Sequence, residues 1–180
     1  MKVVFLDRDG VVNKYPGDRD YVKSLEEFTF LPRSKEAIAC LHKAGFQLYV
    51  ISNQAGVSKG LYSQATLDKI TENMLIGVRA SGGEINGVYY CTHRPDEDCL
   101  CRKPKTGLIE LAKKEHSLKL DHAFFIGDSM FDVKTAKASG MVSILVLSGK
   151  EKLANRDNWE VKPDFIFPDL FEAAQFILKG

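Results

Sequence analysis

The sequence predicts a three-layer α/β fold, one parallel sheet with helices on both faces, and two observations carry that expectation. Apolar strand-like runs alternate with segments of helical periodicity, the pattern of a parallel sheet covered on both sides. Several of those runs stop abruptly at a carboxylate or hydroxyl, and in open α/β sheets ligands gather at the carboxyl ends of the strands. The 180 residues, 44% hydrophobic and 27% charged, suffice for one domain, 1–180, with a sizeable core. A net charge of +1 gives no global basic field for nucleic acid or an anionic membrane, so any anion site is local. The first apolar run ends at Asp7, too short for a signal peptide or a membrane span, and a cytoplasmic monomer is expected.

The first strand, Lys2 to Leu6, delivers Asp7-Arg8-Asp9-Gly10 at its tip. Alternation sends Asp7 and Asp9 to the same side, where one carboxylate can attack while the other handles a proton, or both can share a cation. That pattern suits covalent phosphoryl transfer with a divalent metal. A pair of solvated acids capping a strand is the alternative. Residues 11–31 are of mixed polarity around the turn Pro16-Gly17-Asp18 and read as a short flap over the strand tips, too small to form a cap domain. Pro32 opens a helix that Gly45 closes, and Phe46 to Ile51 is the second strand, ending at Ser52-Asn53-Gln54. Ser52 there either presents its hydroxyl to an anion or merely caps the turn. Ser63 caps a helix through Arg79, with Leu67, Ile70, Met74 and Val78 as its core face.

The third strand, Ile85 to Tyr90, runs into Cys91-Thr92-His93 and on to Cys99-Leu100-Cys101. Three thiols and an imidazole in the loop 91–101 match the ligand set of a closed, structural zinc site, with a disulfide or a reduced cluster as the alternatives. Cys40, alone on a helical face, reads as a buried apolar residue. Arg102-Lys103-Pro104-Lys105 follows, three cations in four positions next to a braced turn, able to bind phosphate through an arginine fork and a lysine point charge. Lys105 reads equally as a solvated cation. A helix over 106–116 leads to a fourth strand, His122 to Ile126, which ends in Gly127-Asp128-Ser129-Met130-Phe131-Asp132. Asp128 would complete an oxygen site for Mg²⁺ with Asp7 and a backbone carbonyl, and Asp132 would hold a metal-bound water or the loop. A helix over 133–139, a fifth strand over 142–147, a short edge strand at 164–167 and a last helix over 169–178 complete the sheet and its cover.

Asp7-Arg8-Asp9, Ser52, Lys103 and Asp128-x-x-x-Asp132 together resemble, in order and spacing, the four motifs of the haloacid dehalogenase superfamily, over residues 3–148. The resemblance implies a Rossmann-like fold with Asp7 as nucleophile and Asp9 as general acid and base. It makes Ser52 and Lys103 the phosphoryl clamp, and places Asp7, Asp9 and Asp128 around Mg²⁺. Within the superfamily, a capless chain with a Cys-x-His and Cys-x-Cys loop before Arg-Lys-Pro is similar to the family of heptose-1,7-bisphosphate 7-phosphatases and histidinol-phosphate phosphatases. That similarity implies Zn²⁺ on Cys91, His93, Cys99 and Cys101, and Arg102 at the far end of the substrate. Arg8, Tyr21, Val22, Ser52, Asn53, Gln54 and Ser129 would line the pocket, Ser129 standing where that branch carries lysine. The implied reaction is Mg-dependent removal of the 7-phosphate from a heptose bisphosphate through an aspartyl-phosphate, feeding nucleotide-heptose synthesis. Histidinol phosphate is the alternative substrate. A nucleic-acid 3′-phosphatase is disfavoured by the lack of a basic groove. A binding module without activity, docking through its zinc loop, is the reading of another class, and the four filled catalytic positions stand against it.

Overall fold

In the computed structural model, which describes residues 2–180, the strands are β1 (Lys2–Leu6), β2 (Phe46–Asn53), β3 (Gly87–Cys91), β4 (Phe124–Gly127), β5 (Val142–Val146) and β6 (Phe165–Phe167). They form one sheet in the order β3-β2-β1-β4-β5-β6, and every pairing is parallel. The helices are α1 (Ser34–Lys43), α2 (Gln64–Arg79), α3 (Gly107–His116), α4 (Met130–Ala138) and α5 (Leu170–Lys179). Alternation along the strands divides the core. Val4, Leu6, Leu48, Val50 and Ile144 pack with Ile38, Ile70, Met74 and Ile177 of α1, α2 and α5, while Val3, Phe5, Tyr49, Ile51 and Phe125 pack with Leu108, Ile109 and Ala136 of α3 and α4. A sheet buried on both faces needs unbroken apolar strands, and β1 supplies one.

Strand order reverses at β1, whose neighbours are β2 on one side and β4 on the other, and a topological switch of this kind opens a crevice at the carboxyl ends. The Asp7 N–H still donates to the Ile126 carbonyl at 2.9 Å, extending the ladder one residue past β1 and fixing where Asp7 stands.

The starts of β3, β4, α4 and α1, and the flap, differ from expectation for local reasons. β3 starts at Gly87, not Ile85: Ile85 is buried in the core, and the Asn86 side chain accepts the Leu48 N–H in place of a strand partner. β4 starts at Phe124 because His122 has φ 63, outside strand geometry. α4 starts earlier, at Met130, because Ser129 and Asp132 form a capping box. α1 starts at Ser34, after Arg33 at φ 58. The flap is not a loose cover. Val11, Val12, Val22 and Phe28 are part of the larger core, and hydrogen bonds from Lys14 to Thr29 and from Leu31 to Val12 tie its two ends together.

Candidate active site

Three carboxylates meet at the switch point. Asp7 follows β1, Asp128 follows β4, Asp132 lies in the first turn of α4, and an oxygen of each lies within 4.8 Å of the others. Between them stands Lys103, 3% exposed, whose ammonium is 3.0 Å from Asp7 Oδ1, 2.5 Å from Asp132 Oδ1 and 2.9 Å from the Ile51 carbonyl. Asn53 locks the backbone of Lys103 from both sides, accepting its N–H at 3.0 Å and donating to its carbonyl at 3.1 Å. Asp132 also accepts from the Ser129 hydroxyl and N–H, so it anchors lysine and loop rather than facing the cleft.

One lysine does not balance three buried acids. Burial pushes Asp7 up; Lys103 opposes this, Asp132 and Asp9 add to it, and the result is about 6. Asp128 is raised well above the carboxylate range by burial, with Asp7 and Asp132 adding to it. Burial pulls the Lys103 ammonium down, but Asp132 and Asp7 outweigh it and hold it charged. An oxygen-rich, under-neutralised cluster of this kind fits a hard divalent cation on Asp7 and Asp128. Because the folded pKa of Asp7 lies above its ordinary 3.8, its contribution to stability is full below about pH 4 and is lost as pH rises through about 6. Thermal unfolding in magnesium-free buffer is expected to show this loss between pH 4 and 7. It should be smaller in Asp7→Asn and smaller again with Mg²⁺ added.

Gly10 shows how tight the crevice is. It has φ +85, and a Cβ there would run into the Asp128 carboxylate and the Gly149 backbone. Gly10→Ala is expected to lower stability by about 1–3 kcal/mol, measured by urea unfolding, through a left-handed backbone and displacement of Asp128.

Asp9 stands on the cleft wall, its carboxylate held from behind. Arg8 donates to Oδ1 from Nε at 3.1 Å and from Nη2 at 3.0 Å, Asn13 donates to Oδ1 at 2.8 Å, and Gln54 donates to Oδ2 at 2.8 Å. Several expected roles change accordingly. The Asp9 carboxylate is outside the three-acid cluster, so a place for Asp9 around a metal would rest on its backbone carbonyl. Arg8 and Gln54, both 0% exposed, are buried supports of Asp9 and not substrate contacts through their side chains. Val22 is core, and Tyr21 leaves the cleft to pack beside Tyr62 and accept from Lys59. Ser52, 2% exposed, faces Asp7 and accepts from Gln54 at 3.2 Å. Ser129 borders the cleft with its hydroxyl committed to Asp132.

The cleft, about 140 Å³, is bounded by Asp7, Asp9, Asn53, Arg102, Lys103 and Asp128, and also by Tyr15, Pro16, Phe131 and Lys150. The sequence did not mark the last four as cleft residues, because their places there depend on how the flap and the β5 loop meet the strand tips. Tyr15 is fixed by a 2.7 Å bond to Asp18, and the Lys150 N–H donates to Asp128 Oδ2 at 2.7 Å.

Cys91, His93, Cys99 and Cys101 converge at the end of β3. Sulfur separations are 3.3, 3.5 and 3.6 Å, and His93 Nδ1 lies 3.2 Å from Cys101 and 3.7 Å from Cys91. These match the edges, about 3.8 Å, of a tetrahedron with zinc–sulfur bonds of about 2.3 Å, and all four cysteines of the chain are free thiols. Burial, with Cys101 and Cys99 beside it, pushes the Cys91 thiol up to about 12. Arg102 follows the knuckle directly and donates to the His93 carbonyl at 3.4 Å. Lys105 pairs with Asp98 on the surface, the solvated reading of that residue.

Fold and site together define a haloacid dehalogenase-like hydrolase. A HAD-hydrolase-like family model matches residues 100–173. The D-glycero-β-D-manno-heptose-1,7-bisphosphate 7-phosphatase of Pseudomonas putida is 43% identical over 150 residues, 83% of this chain and 85% of its own. That of Neisseria meningitidis serogroup A is 35% identical over 182 residues, 99% of this chain and 96% of its own. The D,D-heptose 1,7-bisphosphate phosphatase of Bordetella bronchiseptica, solved with magnesium and phosphate, aligns with a TM-score of 0.92 and 33% identity over 99% of both chains. The chain belongs to this heptose-bisphosphate phosphatase family of HAD-like hydrolases. No described helix is long and apolar enough to cross a membrane.

Proposed function

We propose that the protein removes the 7-phosphate of D-glycero-β-D-manno-heptose 1,7-bisphosphate through an aspartyl-phosphate on Asp7. The observation that carries the chemistry is Asp7 itself, buried at the switch point with Lys103 on one side, Asp128 on the other and Asp9 two residues on. The relatives carry the substrate. A Mg²⁺ ion on Asp7 and Asp128 would offset the repulsion between the carboxylate and the phosphate dianion. Lys103 and Ser52 hold the phosphoryl oxygens as Asp7 attacks phosphorus in line and the ester P–O bond breaks. Asp9 gives its proton to the departing sugar oxygen. It then takes one from the water that attacks phosphorus and frees the Asp7 carboxylate.

The far phosphate would sit beside the cleft, in a cavity of about 240 Å³ bordered by Arg94, Arg102 and Lys105. Arg94 is paired with Asp96 and Glu97, and Lys105 with Asp98, which leaves Arg102 as the more available cation. Structural Zn²⁺ on the four knuckle ligands would set the position of Arg102. A strong zinc chelator is therefore expected to loosen residues 91–105, read by hydrogen exchange, and to raise KM for the bisphosphate about tenfold or more. Unchanged exchange and KM after verified metal loss would contradict a structural zinc.

Phosphate release with Mg²⁺ from both heptose bisphosphate anomers, fructose 1,6-bisphosphate and histidinol phosphate tests the substrate. The β anomer is expected to lead in kcat/KM by about a hundredfold, roughly 2.7 kcal/mol in transition-state binding. A lead for histidinol phosphate would overturn the assignment.

A further inference from the structure

We propose that Tyr62 and Gln54 are positioning residues for Asp9, a relay that aims its carboxyl at the leaving-group oxygen. The inference rests on the reading of Asp9 as the general acid. Gln54 is 0% exposed and its amide sits between three partners, its NH₂ donating to Asp9 Oδ2 at 2.8 Å and to Ser52 Oγ at 3.2 Å. A glutamine amide can occupy such a slot in two orientations, and the wrong one would set its carbonyl oxygen against the Asp9 carboxylate. The Tyr62 hydroxyl settles the choice by donating to Gln54 Oε1 at 2.7 Å. Tyr62, 7% exposed, is seated over Gly56, where a Cβ would strike its ring.

On the other side of Asp9, Arg8 and Asn13 hold the Oδ1 edge, so Gln54 is the neutral donor on Oδ2. Arg8 also contacts Oδ2, from Nη2 at 3.0 Å, but its guanidinium is fixed in the core beneath. Gln54 is the support whose orientation is set by a separate residue with no contact to the cleft. The same NH₂ reaches Ser52, so loss of the relay has two distinguishable consequences. Misdirecting Asp9 affects proton delivery, whereas disturbing Ser52 affects phosphoryl transfer to every substrate.

Leaving-group dependence separates these outcomes. When an alkyl phosphomonoester reacts, the P–O bond breaks and the alkoxide oxygen takes the proton from Asp9. With p-nitrophenyl phosphate, the stable p-nitrophenolate leaves without one. Because Asp9 also serves the later hydrolysis of every aspartyl-phosphate, the comparison is made in kcat/KM, which reports the steps up to loss of the leaving group. Tyr62→Phe, which removes the hydroxyl and keeps the ring, is expected to lower it about tenfold for the heptose bisphosphate and to leave it within about twofold for p-nitrophenyl phosphate. Gln54→Met is expected to show the same selectivity, more strongly. Asp9→Asn, measured alongside, isolates the premise. If Asp9→Asn shows the leaving-group selectivity and neither relay variant does, the relay is wrong and the acid assignment stands. If Asp9→Asn is not selective in kcat/KM, the acid assignment itself fails. Equal losses of a folded Tyr62→Phe on both substrates would place its effect on Ser52 and overturn the proposal.

Discussion

Asp7→Asn is expected to lower kcat at least about a hundredfold while the protein stays folded. The side chain is isosteric, so packing is kept, but an amide is a poor nucleophile toward phosphorus and a poor ligand for a hard cation. The fold should survive for a specific reason. Asp7 is ionised in this site against the pull of burial, so removing its charge relieves a cost instead of adding one. In magnesium-free buffer at pH 7 the variant is expected to melt no lower than the wild-type protein. Wild-type turnover in folded Asp7→Asn, or loss of the fold with loss of the charge, would each contradict this picture.

Lys103→Met is expected to be damaging in both respects. Methionine matches the aliphatic stem but leaves Asp7 and Asp132 facing each other without the ammonium that lies 3.0 and 2.5 Å from them. Breaking a buried pair in this way costs about 3–5 kcal/mol, because the remaining charges stay uncompensated. Turnover should fall at least about a hundredfold as the transferring phosphoryl group loses a fixed cation. Urea unfolding of Lys103→Met and of Lys103→Met with Asp132→Asn provides the check. The second change should return much of the stability, since it removes the acid that sits closest to Lys103, and should return no activity. Equal instability of the two variants would show that the lysine acts by packing alone.

The parts of this architecture that could be read in the sequence are those written locally. An apolar run that ends in acid, as Val3 to Asp7 does, states both that a strand is buried and where its tip lies. The zinc ligands Cys91, His93, Cys99 and Cys101 fall within eleven positions, so residue type and spacing sufficed to group them. What could not be read is side-chain direction where a charged residue lies between two strand-tip acids. Arg8 occupies a position that would suit a substrate contact, yet it turns into the core, where its guanidinium pairs with Asp9 and lies over the Tyr90 ring. The flap illustrates the same limit. Val11, Val12 and Phe28 have no helical or strand periodicity, and they are buried in a core shared with residues as distant as Ile70, Met74 and Ile177. Tyr15 and Lys150 reach the cleft only because two loops more than a hundred residues apart meet over it, Ser148 donating to the Gly10 carbonyl at 2.7 Å.

The central claim is that phosphate passes through Asp7, and the most direct measurement is to trap it there. Protein mixed with substrate and Mg²⁺, quenched in the steady state and reduced with borohydride, is digested and the peptide containing residues 2–8 is weighed. An acyl-phosphate at Asp7 is reduced to the alcohol, so the account expects homoserine at position 7, dependent on substrate and absent from Asp7→Asn. Substrate-dependent reduction at another carboxylate, or none even in Asp9→Asn given p-nitrophenyl phosphate, whose leaving group needs no proton, would contradict it.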